Sequence, residues 1–313
     1  MSTKPNIAIS IGDINGVGIE IALKAHEEIK QLCNPIYCVS QNILTQAAAL
    51  LHTQLPKDTQ LPKDMQLREV FGDCNIEVGK TTAQSGRYSY DSFMRAVALC
   101  ENREADAVVT LPIHKEAWMM AGIEYKGHTD LLRKHFKKEA IMMLGCPQMF
   151  VALFTEHIPL KDVAAALNFE RLETFLLDLH NSIQKEKIAV LGLNPHAGDN
   201  GVLGDEEQII TRAIESVNAK VGFEQFCGPV VPDVAFAPYF RKNYNYFVAM
   251  YHDQGLAPLK ALYFDESVNI SLNLPIIRTS VDHGTAFDIA YRNRANTLSY
   301  INAIKSALEF TNK

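Results

Sequence analysis

Residues 247–289 read FVAMYHDQGLAPLKALYFDESVNISLNLPIIRTSVDHGTAFDI, and this stretch decides the predicted fold. A short apolar run stops abruptly at a His-Asp-Gln-Gly segment, after which charged and amide side chains recur through apolar sequence. In open α/β sheets, ligands bind just outside the carboxyl ends of the strands. A strand that ends next to His252 therefore brings polar side chains to the edge of the sheet where a ligand binds.

Apolar runs typical of buried strands alternate with helical periodicity along the whole chain. Residues 6–11, 149–154 and 188–193 predict strands, whereas residues 42–51 and 83–101 predict helices. This alternation predicts an α/β fold with a mixed or largely parallel sheet. No linker or low-complexity segment separates independent domains in the sequence, so two lobes would share the sheet and have a cleft between them.

Finer predictions concern element ends in the second half of the chain. Asn168 is expected to cap a helix. Asp205 is expected to cap the next helix, with Gln208 at the capping-box position. Residues 234–237 are expected to form one more strand.

The composition is that of a globular protein with a large core. The chain has 313 residues, of which 47% are hydrophobic and 21% are charged, and its formal net charge is −6. Without a long basic run, this charge argues against a general nucleic-acid binder. No apolar stretch approaches the roughly 20 residues that span a bilayer, and the six cysteines contain no C-x-x-C pair. We therefore expect a cytoplasmic protein with reduced thiols and neither a membrane nor a nucleic-acid partner.

A glycine-rich turn follows the first predicted strand. Residues 12–18 read GDINGVG, which is G-x-x-x-G-x-G rather than the G-x-G-x-x-G of a Rossmann nucleotide site. Two interpretations remain open at this point. The turn either binds a nucleotide, or it is a tight strand-to-helix turn whose glycines adopt positive φ.

A tandem copy follows the second predicted helix. Residues 53–58 and 59–64 both read TQLPKD. Prolines spaced in this way exclude a long helix. We interpret the segment as an exposed loop and assign no function to it.

Three of the ten histidines occupy the same position relative to an apolar run. His157, His196 and His252 each lie one to three residues beyond such a run. If the runs are strands of one sheet with the same direction, the imidazoles converge as in a catalytic metal site. Carboxylates that could orient them are Glu156, Asp199 and Asp253. Spacing alone favours three separate loop histidines, because no pair is spaced i, i+4 or as H-x-H.

Another group of residues has the chemistry of an anion site. His128 and Thr129 are expected at a helix N-terminus, where free N–H groups and the helix dipole favour negative charge. An ordinary helix cap is compatible with the same residues. Lys115, Lys260 and Arg278 are the cations that we select for a phosphate, although each alone is more typical of a solvated surface charge.

Seven segments of loop-like composition occur in a distinctive order. They read SIGDINGVGIEI, TLPIHKEA, GHTDLL, TEHIPLKDV, LGLNPHAGDNGVLGDEE, AMYHDQGLAPLK and VNISLNLPIIRTSVDHGTAFDIA. Together they resemble the 4-hydroxythreonine-4-phosphate dehydrogenases of bacterial vitamin B6 biosynthesis over essentially the whole chain. The departures are Ile14 and Ile19, which stand where the family usually has proline, and Asp199, where glutamate is common.

The resemblance implies the two-lobed α/β/α fold of the isocitrate and isopropylmalate dehydrogenases, with a mixed sheet and an interlobe cleft. Carried over to this chain, residues 1–127 and 280–313 form the cofactor-side lobe. Residues 128–279 form the lobe for metal, substrate and dimerisation. The resemblance also implies a homodimer in which one metal site takes ligands from both subunits.

The resemblance assigns roles to residues of this chain. The implied metal ligands are His157, His196 and His252. The implied substrate contacts are His128, Thr129, Lys260, Asn269 and Arg278. The implied cofactor contacts are Gly12, Asp13, Gly16, Asp282, His283, Gly284 and Thr285. The candidates for the general base, by proximity in sequence, are Lys260 and Asp253.

The implied reaction uses NAD or NADP and one divalent ion, which is zinc, magnesium or cobalt. It oxidises 4-phosphooxy-L-threonine to 2-amino-3-oxo-4-phosphooxybutanoate, which loses carbon dioxide to give 3-amino-2-oxopropyl phosphate. This product passes to the pyridoxine phosphate synthase step of pyridoxal 5'-phosphate biosynthesis. The alternatives are a sister dehydrogenase for another phosphorylated hydroxy acid, a metal-dependent hydrolase or lyase without NAD, and a non-catalytic metabolite-binding homologue.

Overall fold

The protein divides into two compact units. The computed structural model describes residues 4–52, 62, 64–72, 74–183 and 187–311. The first unit comprises Met1–Lys138, Val268–Ile270 and Leu274–Lys313, and the second comprises Glu139–Ser267 and Ser271–Asn273. The tandem TQLPKD copy lies outside the described residues except for Pro62 and Asp64.

The strands and helices are short and alternate along the chain. Within the described residues, the strands are β1 (Asn6–Ser10), β2 (Asn34–Cys38), β3 (Gln66–Arg68), β4 (Ala107–Thr110), β5 (Ile141–Cys146), β6 (Met149–Leu153), β7 (Ile188–Leu191), β8 (Phe226–Val230), β9 (Tyr246–Ala249), β10 (Val268–Leu272) and β11 (Ile277–Val281). The α-helices there are α1 (Gly18–Leu32), α2 (Gln41–His52), α3 (Ala83–Glu101), α4 (Lys115–Met120), α5 (His128–Phe136), α6 (Val163–Ala166), α7 (Phe169–Ser182), α8 (Glu207–Val221), α9 (Pro232–Ala235), α10 (Pro238–Arg241), α11 (His252–Tyr263) and α12 (Leu298–Thr311). The 3-10 helices are Leu160–Asp162 and Pro195–Gly201.

The first unit is built on a parallel arrangement of buried strands. Its strands follow the order β3-β2-β1-β4-β11-β10. The β1–β2, β1–β4, β4–β11 and β2–β3 pairs are parallel. Large side chains fill its core, among them Tyr37, Phe93, Trp118 and Tyr300, which are buried. Burying each side chain of this size stabilises the fold by roughly 1.5–3 kcal/mol.

The second unit contains both parallel and antiparallel pairs. Its strands follow the order β5-β6-β9-β7-β8. The β5–β6 pair is antiparallel, whereas β6–β9, β7–β9 and β7–β8 are parallel. Strands β6, β9 and β7 are therefore adjacent and run in the same direction, so that their carboxyl ends lie at one edge. This arrangement meets the condition under which the three histidines were expected to converge.

The predicted α/β class with a mixed sheet is confirmed. The helix predicted at residues 83–101 is α3. The Asn168 cap is also confirmed, because its side-chain oxygen accepts the backbone N–H of Arg171 at 2.9 Å.

Two element predictions were wrong. Asp205 does not cap α8, which begins at Glu207 after Glu206 and has no side-chain cap. The acidic side chains at this end bind Asn194 instead, and Gln208 donates its backbone N–H to the Asp205 backbone carbonyl at 3.1 Å. The strand expected at residues 234–237 is replaced by α9 and the turn after it, because Pro232 at the first helical position favours a helix start.

The observed division differs from the lobe boundaries proposed after residue 127 and before residue 280. Helix α5 belongs to the first unit, where the His128 ring packs edge-on against Phe93 with centroids 4.5 Å apart. Strand β11 belongs there too, because it pairs with β4. The functional labels given to the two lobes stay predictions.

All six cysteines are free, and four of them are buried. Burial raises the pKa of the Cys38 thiol to about 12, which keeps it protonated and unreactive. Within the described residues, no helix is both long and apolar enough to cross a membrane.

Candidate active site

The three predicted metal ligands follow adjacent strand ends of the second unit. His157 follows β6, His196 follows β7, and His252 is the first residue of α11 after β9. The His157 and His252 rings have centroids 5.4 Å apart. His196 lines a pocket of about 280 Å³ whose other lining residues include Tyr251 and Gln254. The three imidazoles are thus presented from one edge of three parallel strands.

Within the described residues, the three strand-end histidines do not form a compact ligand set. Zinc binds histidine nitrogen at about 2.0–2.1 Å, so ligands of one ion lie close together. Over the described ranges, the one His, Cys, Asp or Glu trio whose donor atoms lie within 4.8 Å of one another is His26, Glu27 and Asp64. There the Lys30 ammonium lies 2.8 Å from Glu27 and 3.0 Å from Asp64, and offsets part of their negative charge. The assignment of the three strand-end histidines as metal ligands stays a prediction.

The tautomer of His252 suits a metal ligand. Its Nδ1 lies 2.8 Å from Oδ1 of Asp253. Because an ionised carboxylate only accepts hydrogen bonds, Nδ1 carries the proton. The Nε2 lone pair is therefore directed away from this bond, as in metal sites whose histidines donate to a carboxylate.

His196 lies in a left-handed backbone segment. His196, Ala197, Gly198, Asp199 and Asn200 all have φ between 43° and 78°. Left-handed conformation costs roughly 1–2 kcal/mol for each non-glycine residue. At Gly198 the conformation also leaves no room for a side chain, because an added Cβ would lie 2.7 Å from Oε2 of Glu207. Surrounding contacts must hold this segment in place.

Glu207 supplies those contacts from the start of α8. Its Oε1 accepts the backbone N–H of Leu193 at 2.9 Å and of Asn194 at 2.7 Å. Its Oε2 accepts Nδ2 of Asn194 at 2.9 Å, and Glu206 accepts the same group at 2.7 Å. Glu207 is only 7% exposed, so these charge-assisted bonds are shielded from water. The carboxylate thus fixes the backbone immediately before His196.

The two candidates for the general base occupy different environments. Asp253 is exposed, and its carboxylate accepts a hydrogen bond from Nδ1–H of His252. Lys260 lies further along α11, half-buried, with its ammonium 5.6 Å from the centre of the Phe264 ring. Both residues belong to the second unit with the three histidines.

Arg278 and His128 form a buried polar pair in the first unit. Arg278 lies on β11 and is 3% exposed. Its Nη2 donates to Oγ1 of Thr110 at 2.7 Å and to Nδ1 of His128 at 3.1 Å. Burial lowers the pKa of Arg278 to about 9, because a charged guanidinium is costly to remove from water. A bound anion would offset that cost.

His128 is neutral and has a buried N–H donor without a hydrogen-bond partner. Burial first, and then the charges of Arg278 and Lys115, hold its pKa well below the usual range. Since arginine only donates, Nδ1 accepts and Nε2 carries the proton. That Nε2 is a buried atom without a hydrogen-bond partner. Its neighbour Thr129 lies in the first turn of α5, as predicted.

Asn269, another predicted substrate contact, also has a buried polar atom without a hydrogen-bond partner. It lies on β10 in the part that belongs to the first unit, and its Oδ1 is buried without a hydrogen-bond partner. Buried polar atoms are rarely left unsatisfied unless a ligand or water completes them. Asn269 and His128 therefore fit a site that receives a polar ligand.

The predicted N-terminal cofactor residues are buried inside their turn. Gly12 has φ +72°, and an added Cβ would overlap the Pro112 carbonyl oxygen. Asp13 is fully buried and accepts the N–H of Asn15 at 2.9 Å and the hydroxyl of Ser85 at 3.1 Å. Burial raises the pKa of Asp13, although these bonds oppose the shift. The contacts are those of a structural turn, and direct cofactor contact here stays a prediction.

The C-terminal cofactor segment contacts this turn. The carbonyl of Thr285 accepts the backbone N–H of Val17 at 3.0 Å, and Gly16 lies beside Thr285. The hydroxyl of Tyr291 donates to the Ile14 carbonyl at 2.7 Å. The two predicted cofactor segments are therefore one structural group of the first unit.

The middle of the C-terminal segment is open. His283 and Gly284 are exposed, and Gly284 has open space where a side chain would lie. Asp282 is half-buried and donates its backbone N–H to the Ser299 hydroxyl at 3.2 Å. These residues leave room for a ligand, whereas Gly12 and Asp13 do not.

The structure divides the predicted site residues between the two units. His128, Thr129, Asn269, Arg278 and the predicted cofactor residues belong to the first unit. Lys260, Asp253 and the three histidines belong to the second. Sequence reasoning missed the roles of Thr110, Glu207 and Gln254, whose partners include Arg278, Asn194 and Gly192. The available signal was their position inside three of the seven quoted segments.

The fold is shared with solved α/β dehydrogenases. The structure of a 4-hydroxythreonine-4-phosphate dehydrogenase from Klebsiella pneumoniae superposes with a TM-score of 0.84 at 33% identity, covering 99% of this chain and 100% of that one. A terephthalate 1,2-cis-dihydrodiol dehydrogenase from Burkholderia xenovorans superposes with a TM-score of 0.69 at 24% identity, over 97% of each chain. The second likeness concerns the fold alone. The class is therefore an α/β dehydrogenase fold.

Sequence comparison places the chain within a family. The model of the family described as "Pyridoxal phosphate biosynthetic protein PdxA" matches residues 31–307. A 4-hydroxythreonine-4-phosphate dehydrogenase from Sulfurimonas denitrificans is 65% identical over 306 residues, or 98% of each chain. The chain belongs to the PdxA family, and the resemblance found in its seven segments is confirmed.

Proposed function

We propose that the protein oxidises 4-phosphooxy-L-threonine with NAD or NADP in pyridoxal 5'-phosphate biosynthesis. The product, 2-amino-3-oxo-4-phosphooxybutanoate, then decarboxylates to 3-amino-2-oxopropyl phosphate. The observation that carries the proposal is the 65% identity, over 98% of both chains, to a relative with the corresponding name. The polar residues described above support it independently.

The substrate phosphate is the proposed ligand of the first-unit polar pair. Arg278 offers a buried guanidinium, and neutral His128 offers an N–H donor without a partner. The Lys115 side chain reaches the neighbourhood of Gly127, directly before His128. A phosphate oxygen can accept from Nε2–H of His128, and its negative charge would offset the cost of burying the Arg278 guanidinium. Thr129, Asn269 and Lys260 complete the proposed substrate contacts.

The proposed metal ligands are His157, His196 and His252. Three imidazoles from adjacent parallel strand ends suit zinc, cobalt or, with added water, magnesium. A divalent ion held there would lower the pKa of the substrate hydroxyl and polarise the ketone that forms from it. Asp253 holds the His252 tautomer, which leaves Lys260 as the general base that we propose.

The proposed nicotinamide contacts are residues 282–285, of which His283 and Gly284 are exposed. NAD or NADP would accept the hydride from the carbon that bears the secondary hydroxyl. Gly12, Asp13 and Gly16 support this segment through the contact between Val17 and Thr285. Their proposed role is to fix the segment that meets the cofactor.

A homodimer in the cytoplasm completes the proposal. Exposed apolar side chains follow two of the proposed ligands: Leu160 is 69% exposed, and Val202 is 76% exposed. We propose that these two side chains contact the partner subunit. Six free cysteines suit a reducing compartment. The product would pass to the pyridoxine phosphate synthase step.

A substrate panel tests the proposal against the sister-dehydrogenase alternative. We expect NADH or NADPH formation with 4-phosphooxy-L-threonine. With unphosphorylated 4-hydroxythreonine, kcat/KM should be lower by about 10²-fold or more, because the buried polar groups that bind the phosphate would have no partner. Another phosphorylated hydroxy acid that reacts faster would establish the alternative. The substrate class would be wrong if phosphate made no difference.

A further inference from the structure

A buried amide joins the ends of two strands that present the proposed metal ligands. Gln254 lies in the first turn of α11 and is 9% exposed. Its Oε1 accepts the backbone N–H of Met250, at the end of β9, at 2.7 Å. Its Nε2 donates to the backbone carbonyl of Gly192, at the end of β7, at 2.7 Å. One side chain therefore fixes the spacing of these two strand ends.

Thr155 extends the same network to the third strand. It is 1% exposed and follows β6. Its hydroxyl donates to the Met250 carbonyl at 2.6 Å, and its backbone N–H lies 3.2 Å from the same oxygen. Met250 is thus held by Gln254 through its N–H and by Thr155 through its carbonyl. The ends of β6, β9 and β7 form one hydrogen-bonded group.

This group lies directly beside the proposed ligands. Thr155 precedes His157, Gln254 follows His252, and Gly192 precedes the left-handed segment that carries His196. Hydrogen bonds inside a buried network have little competition from water, so they hold geometry well. A change in either side chain would shift two strand ends relative to each other.

We propose that Gln254 and Thr155 are positioning residues that fix, within each subunit, the strand ends that carry His157, His196 and His252, and so set where that subunit presents its ligands to an ion. The inference rests on the proposed metal site and deepens it. Neither residue needs to touch the ion, because each acts on the backbone that carries a ligand. Losing the partners that orient metal ligands weakens metal binding by about 10–100-fold.

Gln46 is a matched control in the first unit. Its Oε1 accepts the backbone N–H of Ile76 at 3.0 Å, and its Nε2 donates to the Cys74 carbonyl at 2.9 Å. These are the same two kinds of bond that Gln254 makes. Gln46 adjoins no proposed ligand, so its loss reports the general effect of removing such a cross-link.

The experiment measures ion binding and not turnover. Gln254→Met and Gln46→Met remove both bonds while keeping side-chain length. Zinc dissociation constants come from competition with a chromophoric chelator, and cobalt substitution gives a visible absorption spectrum that reports ligand geometry. We expect Gln254→Met to bind zinc about 10–100-fold more weakly, with an altered cobalt spectrum. Gln46→Met should match the wild type in both measurements.

A milder pair keeps the test decisive if Gln254→Met does not fold. Thr155→Val retains shape and loses the hydroxyl donor, whereas Thr155→Ser retains the donor. We expect weaker zinc binding in the first and near wild-type binding in the second. Wild-type zinc affinity and cobalt spectra in Thr155→Val, and in Gln254→Met if it folds, would overturn the inference.

The same titrations separate this inference from the metal site itself. His252→Ala should abolish zinc and cobalt binding if the proposed site exists. A wild-type protein that binds neither ion would overturn the site and the inference together. Binding that His252→Ala removes, but that the positioning variants leave unchanged, would overturn only the inference.

Discussion

One imidazole shows how burial and neighbouring charge decide a protonation state. His128 packs against Phe93 and Trp118 and accepts a hydrogen bond from Arg278. A proton on Nδ1 would break that bond and place two buried cations together. The ring therefore stays neutral and presents its Nε2–H, which is the form that can donate to a phosphate oxygen.

We predict that His128 does not titrate between about pH 6 and 8, around the ordinary histidine pKa of about 6.5. Its folded-state pKa is lowered, so its contribution to stability is present above the unfolded pKa and is lost as the pH falls through the folded pKa. NMR of ring-labelled histidine measures the titration directly. Unfolding free energies should also fall less steeply in acid for His128→Gln, which accepts from Arg278 but binds no proton.

A ligand-free His128 that titrates near the ordinary value would contradict this account. Exposed His283, for which no such burial exists, is the internal reference in the same spectra. Added phosphate should move the His128 resonances if Nε2–H donates to it.

The segment after β7 shows how one helix start stabilises a strained turn. The left-handed residues from His196 to Asn200 cannot persist by their own preference. Glu207, at the first position of α8, binds the backbone N–H groups of Leu193 and Asn194. Helix α8 therefore begins at the residue whose carboxylate binds this turn, and Asp205 does not cap it.

We predict that Glu207→Gln lowers the free energy of unfolding by about 1.5–3 kcal/mol, the range for hydrogen bonds to charged groups. The amide loses the charge and sets an NH₂ group against Nδ2 of Asn194. Urea unfolding followed by circular dichroism gives the value. Glu215→Gln on the exposed face of α8 is the control and should change stability by no more than about 0.5 kcal/mol. Equal effects of the two substitutions would show that Glu207 does not hold the turn.

Local patterns predicted the elements, but not the contacts that complete the site. Apolar runs and helical periodicity are properties of neighbouring residues, so α3 and strands β6 and β7 were found from sequence. Arg278 meets Thr110 across 168 positions, and Gln254 meets Gly192 across 62. No spacing rule reports such pairs, and only the fold brings them together. The strand predicted at residues 234–237 was wrong for a local reason, because Pro232 favours the start of a helix there.

The two units place different chemistry on different parts of the molecule. Anion-binding groups and the predicted cofactor segments belong to the first unit, and the proposed metal ligands belong to the second. Exposed Leu160 and Val202 follow two of these histidines along the chain of the second unit, and a partner subunit is proposed to bind there.

We predict that the protein is a dimer and that Leu160→Asp combined with Val202→Asp shifts it to monomers. Buried carboxylates at an apolar contact are strongly disfavoured, whereas exposed ones are tolerated. Sedimentation velocity measures the shift. Phe71→Asp in the first unit, where the side chain is 86% exposed, should leave the dimer intact. A wild-type monomer, or a dimer unaffected by the double substitution, would contradict the proposed interface.

The central claim is a metal-dependent oxidation by a nicotinamide cofactor. The most direct measurement is NADH absorbance with zinc-loaded or cobalt-loaded protein and 4-phosphooxy-L-threonine, with and without a chelator. We predict NADH formation that the chelator stops and that added metal restores, and none with His196→Ala. Oxidation that continues in the chelator, or no oxidation by folded protein that binds both metal and NAD, would contradict the account.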